Sequence, residues 1–106
     1  MGILKFIRSK NINQGIEEFK SVQGAVLLDV RTKQEYIEGH IPESRNIPLQ
    51  RIVNIDSTII DKDTPLYVYC YSGSRSSQAV ELLKKLGYTN VTNIGGIASY
   101  SGKIER

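Results

Sequence analysis

The chain of 106 residues has one cysteine, Cys70, and one histidine, His40. A single cysteine cannot close an internal disulfide, so the fold does not depend on an oxidising compartment. One Cys and one His also fall short of the three or four soft ligands a zinc or iron–sulfur site requires, and no carboxylate cluster has ligand spacing. No apolar run approaches the roughly 18 residues that cross a bilayer. No Gly-x-Gly-x-x-Gly fingerprint or Walker loop is present, so nucleotide binding has no motif. The formal net charge is only +3, and no basic tract exceeds Lys84-Lys85, which argues against a nucleic-acid partner while favouring the approach of small anions. There is no repeat, linker or low-complexity block. Hydrophobic residues make up 40% of the chain and charged ones 24%, which with this length suits one soluble domain with its own core. A cytoplasmic monomer is the expectation.

The apolar start, Met1 to Arg8, lacks the core and cleavage site of a signal peptide, and Phe6 occupies the position where a myristoylation signal needs Ser or Thr. Residues 1–10 are expected to form a short extension, packed on the domain or lying at a membrane surface, with the domain itself over 11–106.

The lone thiol is placed with care. Leu66-Tyr67-Val68-Tyr69 reads as a buried strand, Cys70 follows it, Tyr71-Ser72-Gly73-Ser74-Arg75 forms a turn, and a helix is expected from Ser76 to Leu86. The first N–H groups of a helix have no intrahelical partners and its dipole favours negative charge, so a thiolate there is stabilised. Gly73 allows the backbone to curl into a nest of N–H groups, Ser72, Ser74 and Ser76 add hydroxyl donors, and Arg75 can present a guanidinium fork to an oxyanion. A buried structural cysteine is the rival reading, since free cysteine is often a core residue. The Gly/Ser turn, the arginine and the helix start favour a nucleophile. His40, in a Gly-His-Ile-Pro turn, fits a structural role better than a Cys–His pair.

Elsewhere, Asn13 can cap a helix over Gln14–Ser21. Ala25 to Val30 is a continuous apolar run of the kind found in parallel sheets. Thr32 and Glu35 have capping-box spacing and open a helix to about Glu38. A short strand within Ser44–Ile47 and a weakly patterned helix within Leu49–Ile60 follow. Val91 to Ile94 is the last strand, and a short helix is expected near Ala98. Alternating strands and helices predict an α/β domain with a mostly parallel sheet, in which ligands sit beyond the carboxyl ends of the strands. Cys70 lies at such an end, as do Asp29 and Arg31, which are expected to support the loop. Tyr67 and Tyr69 should pack, and Tyr71 should line the mouth of the site.

These segments in order resemble the rhodanese family. Leu28-Asp29-Val30-Arg31-Thr32 with Glu35-Tyr36, Gly39-His40-Ile41-Pro42 and Asn46-Ile47-Pro48 are similar to the family's first half. Tyr69 to Ser76, Leu86-Gly87-Tyr88 and Gly95-Gly96-Ile97 are similar to its second half, so that the resemblance spans residues 12–103. It implies an α/β rhodanese fold, a parallel five-stranded sheet with helices on both faces. It implies sulfurtransferase chemistry with no metal or organic cofactor: Cys70 would take a sulfane sulfur from an anionic donor such as thiosulfate and pass it, as a persulfide, to cyanide or a thiol. The loop from Tyr71 to Ser76 would hold the persulfide and the donor. Related dual-specificity phosphatases resemble Cys-x5-Arg, whereas Cys70 and Arg75 give Cys-x4-Arg, a tighter loop suited to one sulfur rather than a phosphate. Glu43-Ser44 and Tyr100 stand where many relatives carry Gly-Ala and Trp. A sulfur-relay carrier loaded by a partner protein, and a non-catalytic binding module, are the alternatives within the same fold.

Overall fold

A computed structural model describes residues 11–106; the expectations for residues 1–10 lie outside the described residues. Helix α1 runs Ile12–Ser21, strand β1 Val26–Asp29, helix α2 Lys33–Glu38 and strand β2 Arg45–Asn46. A 3-10 helix spans Leu49–Ser57, followed by β3 Leu66–Cys70, α3 Ser74–Lys85, β4 Val91–Gly96 and a 3-10 turn Ile97–Ser99. All strand pairs are parallel, in the order β2-β1-β3-β4.

The sheet therefore has four strands among the described residues, not the five that the resemblance implies. Outside these four strands the described residues contribute a single antiparallel bridge, His40 to Glu105.

Alternation along the strands builds two cores. On one face Leu28, Leu66, Val68 and Cys70 pack with Ile52, Ile55, Ala79 and Leu83 from the 3-10 helix and α3. On the other, Leu27, Tyr67, Tyr69 and Ile94 pack with Ile12, Ile16 and Phe19 of α1. Every residue of β3 is buried, as a strand covered on both faces must be. Full burial of each large aliphatic side chain contributes about 1.5–3 kcal/mol, so these two layers fix the position of the strand end that carries Cys70.

Local signals set the helix limits. Asn11, not Asn13, caps α1, its side chain accepting from the Gln14 N–H at 2.9 Å. The earlier start buries Ile12 as well as Ile16 and Phe19. Asn13 instead ties α1 to the C-terminal segment, donating to the Ser99 carbonyl at 3.1 Å and accepting from the Ser101 N–H at 3.0 Å. The Thr32–Glu35 capping box is formed in full, which lets α2 exist although it buries none of its residues. Helix α3 begins at Ser74, two residues before the expected start, because Gly73 at φ 109° turns the chain directly into it.

Candidate active site

The Cys70 loop leaves the buried end of β3 and enters α3 within three residues. The thiol sits at the floor of the loop, and Cys70 is only 1% exposed. The Gly73 N–H donates to Sγ at 2.9 Å, and the Ser76 hydroxyl lies 3.4 Å from it. Burial pushes the thiol pKa up. The Ser76 hydroxyl and the backbone N–H groups of Ser76, Gly73 and Ser72 outweigh that and bring it below its ordinary value. The donors favour the thiolate and do not require a histidine. His40 bonds the Tyr36 carbonyl through Nδ1 at 2.9 Å and stacks on the Tyr36 ring at 3.8 Å, a structural arrangement.

Two features that the sequence did not single out hold the loop from behind. The β3–β4 register shifts between Val68 and Tyr69, leaving Ile94 as an extra residue in β4. That bulge lets the Asn93 carboxamide accept from the Gly95 N–H at 2.9 Å and from the Ser76 hydroxyl at 2.8 Å. The Ser76 hydroxyl is also 3.0 Å from the Gly73 carbonyl. One proton thus has three acceptors in reach, and a thiolate on Cys70 competes best for it. Gly96 is the second feature. A Cβ there would lie 2.1 Å from the Tyr71 carbonyl oxygen and 2.6 Å from Ser72 Cα, so the strand and the loop touch only because the side chain is absent. The Ala98 N–H then donates to that Tyr71 carbonyl at 3.0 Å. Gly95-Gly96 was legible as a strand end; the bulge and its contact with the loop were not.

Asp29 and Arg31 form a buried bidentate pair beneath the first strand end, with Nη2 to Oδ2 at 2.8 Å and Nε to Oδ1 at 3.1 Å. Arg31 Nη2 also donates to the Gly39 carbonyl at 2.7 Å. Asn46 bridges the Asp29 and Arg31 carbonyls, each at 2.9 Å. The guanidinium also lies 5.9 Å from the centre of the buried Tyr69 ring. This network joins β1, β2 and β3 at their carboxyl ends and carries no free charge toward the loop.

Arg75 is in the first turn of α3 and forms a fork with Glu35, Nη1 to Oε1 at 2.7 Å and Nη2 to Oε2 at 3.1 Å. Arg75 holds the Glu35 pKa down at about 2, assisted by the Thr32 N–H and hydroxyl against partial burial. Tyr71 is half exposed and, with Arg31, Glu35, Glu38 and Gly39, lines a shallow cleft beside the loop. Ser72 and Ser74 occupy the loop and the first position of α3, and Ser76 is buried under them. Among the described residues no helix is long and apolar enough to cross a membrane.

The Cys70 Sγ thus sits at a strand end among N–H and hydroxyl donors. The profile of the rhodanese-like domain covers residues 9–103. The chain belongs to the rhodanese-like family. It is 39% identical over 71 residues to the thiosulfate sulfurtransferase PspE of Escherichia coli, covering 66% of this chain and 68% of PspE. It is 35% identical over 100 residues to the adenylyltransferase and sulfurtransferase uba4 of Ogataea parapolymorpha, covering 93% of this chain but only 26% of that longer protein. Among solved structures, a rhodanese with anions from E. coli superposes with a TM-score of 0.72 at 34% identity, over 77% of this chain and 98% of the other. The named relatives in this family include sulfurtransferases.

Proposed function

We propose that this rhodanese-like protein is a sulfurtransferase that moves a sulfane sulfur from thiosulfate or a related donor to a thiophilic acceptor through a Cys70 persulfide. The observation that carries the reading is the Cys70 sulfur itself, buried yet held below its ordinary thiol pKa by the Ser76 hydroxyl and the loop N–H groups. With thiosulfate, the thiolate would form a bond to the outer sulfur as the S–S bond to the SO3 group breaks and sulfite leaves with the electron pair. Cyanide or a thiolate would then attack the outer sulfur of the persulfide, and the Cys70 thiolate would depart unchanged. The donors that hold the thiolate are aimed at a negatively charged sulfur and would hold the terminal persulfide sulfur and the donor's charge as they develop. Tyr71, Ser72, Gly73, Ser74, Arg75 and Ser76 are the residues proposed to contact substrate, with Asp29 and Arg31 in support.

The test is intact mass after incubation with thiosulfate, with Cys70→Ser as control. A gain of one sulfur atom that cyanide removes and that the variant lacks is the expected result. No gain from thiosulfate or from a protein persulfide would overturn the proposal.

A further inference from the structure

The cation that the loop carries is already occupied. Arg75 is the one arginine or lysine in the Cys70–Ser76 segment, and its fork is satisfied on both sides by Glu35. The carboxylate does not depend on that contact for its position. The Thr32 N–H and hydroxyl hold Oε1 at 3.0 and 3.1 Å, so the capping box of α2 fixes Glu35 and presents it to Arg75. Arg31, the next cation at the cleft, is spent on Asp29 in the same way. Glu38 adds a further carboxylate to the cleft wall. Lys33 and Arg51 line a different cleft, between α2 and the 3-10 helix, with Ile37 and Pro48. The cleft beside the loop is lined by Arg31, Glu35 and Glu38, and together with the Asp29 and Arg75 paired to them this makes two arginines against three carboxylates, despite the net positive charge of the whole chain.

We infer that Glu35 is a specificity-determining residue: by neutralising Arg75 it weights the site against oxyanion donors such as thiosulfate and toward hydropersulfides, whose transferable sulfur has no sulfonate beside it. The inference rests on the sulfurtransferase reading and names its donor class. An oxyanion that reaches Arg75 meets a guanidinium whose charge is already offset by a bidentate carboxylate, whereas a hydropersulfide R–S–SH needs only the thiolate and the loop N–H groups. In that transfer Cys70 Sγ forms a bond to the terminal sulfur, the S–S bond joining that sulfur to RS breaks, and RS⁻ leaves with the electron pair and takes the proton. The products are RSH and the Cys70 persulfide anion. Glu35 acts through Arg75 and touches neither sulfur.

Glu35→Gln is the discriminating variant, because glutamine still accepts from the Thr32 N–H and keeps the capping box while removing the charge. The readout is the ratio of Cys70 alkylation rates with iodoacetate, an anion, and iodoacetamide, its neutral counterpart. The ratio is expected to rise by roughly 1.5-fold to fivefold in Glu35→Gln, the scale of one partly exposed charge interaction. The half-saturating thiosulfate concentration for persulfide formation is expected to fall by a similar factor, with less change in the rate at saturation. Arg75→Gln uncovers the Glu35 charge and should lower the iodoacetate ratio, and the double variant, which removes both charges of the pair, should return close to the wild-type ratio. An unchanged ratio in Glu35→Gln, or a rise that persists in the double variant, would overturn the inference while leaving Cys70 a nucleophile. A wild-type Cys70 inert to both reagents and to every sulfur donor would instead overturn the sulfurtransferase reading, and this inference with it.

Discussion

Removing the Ser76 hydroxyl tests the electrostatics of the site directly. Ser76 is fully buried, and its Oγ lies 3.4 Å from Cys70 Sγ. It is the largest single influence lowering the thiol pKa against burial. A hydrogen bond to a charged group is worth about 1.5–3 kcal/mol, and about 1.4 kcal/mol corresponds to one pKa unit. The contact is long, and the hydroxyl must turn from Asn93 at 2.8 Å and the Gly73 carbonyl at 3.0 Å to serve the thiolate, so the lower end applies. Ser76→Ala is therefore expected to raise the Cys70 pKa, removing about 1.5 kcal/mol of thiolate stabilisation. The fold should survive, because Asn93 keeps the Gly95 N–H and the Gly73 carbonyl keeps the Ser77 N–H at 3.1 Å. The assay is the rate of alkylation by iodoacetamide as a function of pH. Below both pKa values the variant should react about tenfold more slowly, and at high pH the two should share one plateau. An unmoved midpoint would refute the role assigned to the hydroxyl. A lowered plateau with the same midpoint would mean that the substitution closes the loop rather than altering its charge balance.

Gly96→Ala should cost both activity and stability, since its Cβ would meet backbone atoms of Tyr71 and Ser72 at 2.1–2.6 Å and the loop must move. A loss of about 1–3 kcal/mol in urea unfolding, with much slower persulfide formation, is expected. Asp29→Asn leaves the Arg31 guanidinium buried without its carboxylate. It should cost about 3–5 kcal/mol, read by chemical denaturation, and a cost under 1 kcal/mol would show that the pair is not needed to close the strand ends. Glu35 has a folded pKa of about 2 against an ordinary value of 4.5. A depressed carboxylate stabilises the fold above its unfolded pKa, so this contribution is present at neutral pH and drains away as pH falls from 4.5 towards 2. Urea midpoints should drop across that window in the wild type and drop less in Glu35→Gln; equal slopes would remove Glu35 from the acid response.

The parts of this protein that depend on neighbours in sequence were readable from the chain. The apolar runs of β1 and β3, the Thr32–Glu35 box and the order strand, thiol, Gly/Ser turn, helix are local patterns, and local patterns obey the periodicities of a helix and a strand. They were enough to place Cys70 at the carboxyl end of a buried parallel strand. The cap of α1 was read at Asn13 and lies at Asn11, because only the tertiary burial of Ile12 extends the helix to the earlier start. What the tertiary structure alone decided is which distant groups meet. Asn93 reaches Ser76 because a bulge at Ile94 turns it toward the loop, and Gly96 is required because β4 runs against Tyr71. Arg75, read from the sequence as a free oxyanion fork, faces a carboxylate 40 positions earlier because α2 and α3 both begin at the same edge of the sheet. Chain order determined where the thiol sits; packing across the sheet decided the charges around it.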